Sequence, residues 1–248
     1  MKFLEKTLLV TLVCTVISCF YFDIASADET DTTEFVYVFH GLGRPKSAMW
    51  LMAARLENAG YSVEKIGYHS LIESPEEIML DISEQISASL PQDNRTIHFV
   101  GHSMGGLLIR AYLDSNKVEH LGRVVLIGTP NQGSALVDKY RDKWWMKILG
   151  PMPRALGTDS TGFHKSIGDP YYPVGIIAGI AKWKNEDVLP GDDDGIVPLE
   201  SAKLKGMTDI ITVESGHTML RYDKDVADQT IEFLRNGMFR EDEPLIER

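Results

Sequence analysis

Apolar and polar positions follow two rhythms along this chain of 248 residues. Short β-branched and aromatic runs predict strands at "FVYVFHG" (35–41), "YSVEKIGY" (61–68), 96–100, "GRVVLIG" (122–128), "YPVGIIAG" (172–179) and "DIITVES" (209–215). Segments with helical spacing lie between them. "SAMWLMAARLENAG" (47–60) predicts a helix closed by Gly60. "SPEEIMLDISEQISASL" (74–90) opens on a capping box, with Ser74 as N-cap, Pro75 at the first helical position and Glu77 reaching back. Its Ile78, Ile82 and Ile86 fall on one stripe that needs a core to bury it. Helices at 104–115 and "DKDVADQTIEFLRNG" (223–237) complete the series.

Alternating strands and helices imply an α/β fold, a mainly parallel central sheet with helices on both faces. Ligands of such sheets bind beyond the carboxyl ends of the strands, so candidate chemistry belongs in the loops that follow strands. One region breaks the rhythm. Residues 133–170 predict a cap or lid inserted after the strand at 122–128. Within "SALVDKYRDKWWMKILG", Val137, Tyr140, Trp144 and Ile148 share one helical stripe, and Trp145 and Met146 add apolar bulk. Such a helix over the mouth of a site acts either as a mobile lid and acyl-binding wall or as a permanently packed cap. Trp144, Trp145 and Ile148 are the candidate substrate contacts, and their size favours a hydrophobic acyl chain.

The corner between the strand at 96–100 and the helix at 104–115 reads Gly101-His102-Ser103-Met104-Gly105, a G-x-S-x-G pentapeptide in strand-turn-helix context. Glycines at both flanks clear space for a tight turn that would lift Ser103 into the open. A serine hydroxyl is a poor nucleophile until a base takes its proton, and the usual base is a histidine held by a carboxylate. Downstream, "PGDDDGIVP" supplies Asp194 and "SGHTML" supplies His217, both in loops after strands and in the order serine, acid, histidine. Asp194 stands at the turn into Gly-Ile-Val-Pro and is the preferred acid, with Asp193 and Asp187 in reserve. An acidic triplet without interleaved ligand spacing is weak ground for a calcium site, and no metal or cofactor is expected. His40, His98 and His102 read as packing or variable positions, and His69, His120 and His164 as surface or structural ones. Stabilising an oxyanion needs backbone donors, and the N–H groups of Met104 and of Leu42, in "HGLG" (40–43), are the candidates.

Together "VFHGLG", "VGHSMGG", "LIGTPNQGS", "DDDGIVP" and "SGHTML" resemble the α/β-hydrolase superfamily, and within it the small secreted bacterial lipases and carboxylesterases. The resemblance runs from about Phe35 to Leu234 and implies Ser103 as nucleophile, His217 as base, Asp194 as acid, and Leu42 and Met104 as oxyanion donors. Two departures are visible: the oxyanion loop is HG-x-G rather than HGGG, and the acidic loop is longer than in many relatives. The same site would serve an amidase, a peptidase or an acyltransferase. A binding protein that keeps the fold without turnover is the non-enzymatic alternative.

Charge and the N-terminus narrow the partners. With 36 acidic against 25 basic residues the net charge is −11, which disfavours nucleic acid and anionic lipid surfaces and suits a neutral or weakly polar ester. A lipid ester would still bring transient contact with an interface. Lys2 and Lys6 precede an apolar run, Leu8 to Phe22, and Ala25-Ser26-Ala27 is a small-x-small cleavage pattern. An export signal over 1–27 followed by one hydrolase domain over 28–248 is the expected organisation, with a secreted or periplasmic product. An uncleaved anchor, or lipidation at Cys19, is the alternative. Both cysteines, Cys14 and Cys19, fall in this segment, so the exported domain would rely on its core rather than on disulfides.

Overall fold

The computed structural model describes residues 33–144, 146, 148–182, 189 and 191–240. The segment 1–27, where an export signal is expected, with Cys14 and Cys19, and also Asp187 and Trp145 lie outside the described residues. The strands are β1 (Phe35–Phe39), β2 (Ser62–Ile66), β3 (Ile97–His102), β4 (Leu121–Ile127), β5 (Val174–Gly179) and β6 (Asp209–Val213). All pairings are parallel, in the order β2-β1-β3-β4-β5-β6. The chain therefore starts one strand in from an edge, adds β2 outside it, returns through β3 on the other side of β1, and then grows toward the far edge.

The period-two alternation of the strands separates two cores. Tyr37 and Phe39, Val124 and Leu126, and Ile176 pack on one face with α2 (Pro75–Ser89) and α3 (Met104–Ser115). Val36 and Val38, Val125 and Ile127, and Ile177 pack on the other with α1 (Trp50–Asn58) and α7 (Lys224–Asn236). Ile78, Ile82 and Ile86 of α2 are all buried, and its capping box is formed in both directions between Ser74 and Glu77. At α7 the Asp223 side chain accepts from Asp225 N, and Gly237 ends the helix in the left-handed conformation at φ 79°. A side chain there would be strained, which is why glycine closes this helix.

Residues 133–170 depart from the expected stripe. A short α4 (Ala135–Tyr140) stops at Tyr140, and α5 (Pro151–Ala155) follows after a run of turns. Arg141 N and Lys143 N bond the carbonyls three residues back, tightening the chain out of α geometry. Arg141 is held at that break by ion pairs to Asp138 and Asp159. The rotation that would align Trp144 and Ile148 with Val137 is lost, and both are 73% exposed, whereas Met146 turns inward. The remaining short helix, α6 (Leu199–Ala202), follows the acidic loop. Among the described residues, no helix is long and apolar enough to cross a membrane.

Candidate active site

The carboxyl ends of β3, β5 and β6 bring three distant residues together. Ser103 sits between β3 and α3 at φ 57°, ψ −128°, a conformation that costs a non-glycine residue about 1–3 kcal/mol. It persists because its surroundings leave no other choice. Ser103 N donates to Ile127 O at 2.7 Å, and Gly106 N donates to Ser103 O at 3.0 Å. A Cβ on Gly101 would lie 2.7 Å from Gly106 N, and one on Gly105 would lie 2.6 Å from His40 O. The flanking glycines thus let α3 start directly against β1 and β3, with Ser103 at the crest.

Asp194 lies in a turn closed by a bridge between Asp193 and Pro198. Its Oδ1 accepts from Ile196 N at 3.0 Å and Val197 N at 2.7 Å, which aims Oδ2 at His217. His217 Nδ1 donates to Asp194 Oδ2 at 2.7 Å, and the backbone N–H of His217 donates to Asp194 O, also at 2.7 Å. A carboxylate can only accept, so the proton resides on Nδ1 and the Nε2 lone pair is free. That lone pair faces the Ser103 hydroxyl, with Nε2 2.9 Å from Oγ. The order hydroxyl, imidazole, carboxylate is suited to drawing a proton off Ser103 and stabilising the imidazolium that results. Asp193 is buried as well, but its Oδ1 turns back to Gly195 N at 2.7 Å. Asp192 is exposed.

His102 has more to do than a variable position would suggest. It is buried, and its Nε2 lies 2.9 Å from His217 O, so Nε2 carries the proton that the carbonyl accepts. Burial first, then the neighbouring His217, Arg221 and Arg44, push its pKa well below the usual histidine value. A neutral His102 thereby braces the backbone of His217. His40 behaves as a packing residue: it stacks on Tyr68 with ring centroids 3.9 Å apart, and the Tyr68 hydroxyl donates to His40 O.

A cavity of about 300 Å³ opens over Ser103 and His217. Leu136, Val137, Tyr140, Met146, Leu149 and Leu156, all from the 133–170 segment, form its apolar wall. Trp144 and Ile148, expected as substrate contacts, are exposed and are not part of that lining; Met146 and Leu149, beyond the helix break at Arg141, are. Leu42, in the loop after β1, also lines the cavity. The Met104 N–H stands at the first position of α3, where a helix supplies no internal acceptor. Arg44 and Arg221, which the sequence pattern did not single out, also line the cavity. Arg221 is four residues past His217, and that proximity was the available signal. Among the described residues, no group of three metal-ligating side chains exists.

A six-stranded parallel sheet with a serine on a strained strand-to-helix turn, and acid and histidine in later loops, defines an α/β-hydrolase fold. Solved structures agree. The mature lipase BlEst2 of Bacillus licheniformis is similar at 23% identity and a TM-score of 0.67, over 84% of this chain and 93% of that one. A metagenomic carboxyl esterase is similar at 18% identity and a TM-score of 0.58, over 77% of this chain and 66% of that one. A bromoperoxidase from Bacillus anthracis shares the fold at 14% identity and a TM-score of 0.55, over 82% and 92%. No curated protein matches the sequence. The model of the palmitoyl protein thioesterase family matches residues 35–167, more than half of the chain, and the chain belongs to that family.

Proposed function

We propose that the protein is a serine hydrolase of carboxylic esters with a hydrophobic acyl chain. The observation that carries this reading is the continuous contact from Ser103 Oγ to His217 Nε2, 2.9 Å, and from Nδ1 to Asp194 Oδ2, 2.7 Å, at the floor of an apolar cavity. His217 takes the hydroxyl proton as Ser103 Oγ bonds to the ester carbonyl carbon. The oxyanion is met by the N–H groups of Leu42 and Met104. The bond to the alcohol oxygen breaks, His217 returns the proton to that oxygen, and an acyl-enzyme remains. Water, deprotonated by the same imidazole, then releases the acid and restores Ser103. No cofactor enters these steps.

The wall formed by residues 136–156 receives the acyl chain in this reading. A cavity of about 300 Å³ is at the small end of ligand pockets, which favours short and medium chains. Family membership favours a second reading, an acyl thioester at the same serine, since the matching model is that of palmitoyl protein thioesterases. Para-nitrophenyl esters of graded chain length, assayed beside the matching thioesters, separate the two by their kcat/KM. Ser103→Ala should abolish turnover and labelling by a fluorophosphonate; turnover retained in that variant would remove Ser103 from the mechanism.

A further inference from the structure

Besides its apolar wall, the cavity is lined by two cations, Arg44 and Arg221. Arg221 is only 5% exposed, it lines the cavity, and its Nε has no hydrogen-bond partner. Its recorded contact is with the face of the Tyr222 ring, 4.5 Å from the guanidinium carbon. No ion pair to a carboxylate is found for it among the described residues. A buried guanidinium whose Nε has no acceptor is costly unless something brings one. Arg44, exposed at the cavity rim after the Leu42 loop, adds a second positive charge. Asp194, the nearby carboxylate of the site, is already occupied by His217 and two backbone N–H groups.

We infer that Arg221, assisted by Arg44, receives an anionic group on the alcohol side of the ester, so that the preferred substrates are acyl esters whose leaving alcohol bears a phosphate or a carboxylate. This rests on the ester-hydrolase reading for its chemistry. The side is set by proton delivery. The leaving oxygen must approach His217 Nε2, and Arg221 belongs to the same turn, in which Met219 N and Leu220 N bond Gly216 O and Tyr222 N bonds Met219 O. The acyl chain is directed the other way, onto Val137, Tyr140, Met146 and Leu149. A planar guanidinium with its donors unassigned matches the paired oxygens of either anion.

The test compares two ester pairs whose members differ by an anionic group on the alcohol: para-butyryloxybenzoate against its methyl ester, and monobutyryl glycerol phosphate against monobutyryl glycerol. The expected result is a kcat/KM ratio of about tenfold to a hundredfold in favour of the anion in at least one pair, as charge-assisted hydrogen bonds provide. The pair that responds identifies carboxylate or phosphate as the recognised group. Arg221→Gln should bring the ratio close to one, and Arg221→Lys should keep part of it, with Arg44→Gln as a milder, exposed counterpart. A ratio near one in the parent chain, or a proportional loss on both members of each pair in Arg221→Gln, would overturn the inference. Binding is read separately from turnover by the rise in Tm with octyl phosphate, using octanol as the neutral control. If no ester is hydrolysed but octyl phosphate stabilises the parent and not Arg221→Gln, the hydrolase reading fails and the anion site stands. No stabilisation beyond that by octanol counts against the anion site.

Discussion

Replacing Asp194 by Asn tests the site at its most specific bond. Asn keeps the shape and one carbonyl oxygen. That oxygen satisfies Ile196 N and Val197 N as Oδ1 now does, at 3.0 and 2.7 Å, so the turn should survive. The amide nitrogen then occupies the place of Oδ2, 2.7 Å from His217 Nδ1. Two donors cannot share that contact, so the imidazole moves its proton to Nε2 and Nδ1 becomes the acceptor. Nε2, 2.9 Å from Ser103 Oγ, would then offer a proton where a lone pair is needed. A wrong tautomer of this kind lowers kcat by about 10⁴, or about 5.4 kcal/mol of transition-state stabilisation. Exchange of one charge-assisted hydrogen bond for a neutral one should cost about 1 kcal/mol of stability, lowering Tm by about 2–4 °C. The assay is kcat on a soluble para-nitrophenyl ester, with Tm measured on the same preparation. Asp193→Asn is the paired control, because its Oδ1 contact to Gly195 N survives the change. It should lower kcat by less than about tenfold. A loss below tenfold in Asp194→Asn at an unchanged Tm, or a larger loss in Asp193→Asn, would refute the tautomer argument.

Two further outcomes concern the scaffold. Gly105→Ala puts a Cβ 2.6 Å from His40 O and 2.8 Å from Phe39 O, both backbone atoms that cannot swing aside. It should cost about 2 kcal/mol and several degrees of Tm, and it should displace the Leu42 loop enough to depress kcat; differential scanning calorimetry and ester kinetics check both. The second outcome is a pH dependence. Burial holds His40 and His102 below the ordinary histidine value of 6.5, so the unfolded chain binds protons that the folded chain does not. Their stabilising effect is therefore complete above about pH 6.5 and is lost as pH falls toward their folded pKa values, by up to about 1.4 kcal/mol per pH unit for each imidazole. Urea unfolding from pH 7.5 down to 5 should show this slope, and a stability unchanged over that range would contradict the burial argument.

The order of strands and helices was legible because periodicity is a local property: Ile78, Ile82 and Ile86 point the same way whatever surrounds them, and "SPEE" caps a helix through its own atoms. The elbow at Ser103 was legible for a similar reason, since glycine at 101 and 105 reports crowding by backbone next to it. Chain order placed Asp194 and His217 in loops on the correct edge of the sheet. The stripe through Trp144 and Ile148 was misleading because an ion pair from Arg141 to Asp159, 18 residues on, stabilises the break after α4. No window of sequence contains that contact.

By itself, then, the sequence determined the alternating elements, the parallel sheet and the kinds of residue that meet at its carboxyl edge, because these follow from side-chain spacing and backbone preference over a few residues. Only the tertiary structure decided which carboxylate faces His217, that His102 braces it, and that Met146 and Leu149 rather than Trp144 and Ile148 line the cavity. It also decided where charge is felt. A net charge of −11 suggests that anions are repelled, yet screening limits such an average to distances of about 10 Å, and Arg221 and Arg44 line the cavity itself. Net charge is a sum over the chain, whereas recognition depends on which few charges folding brings to one place.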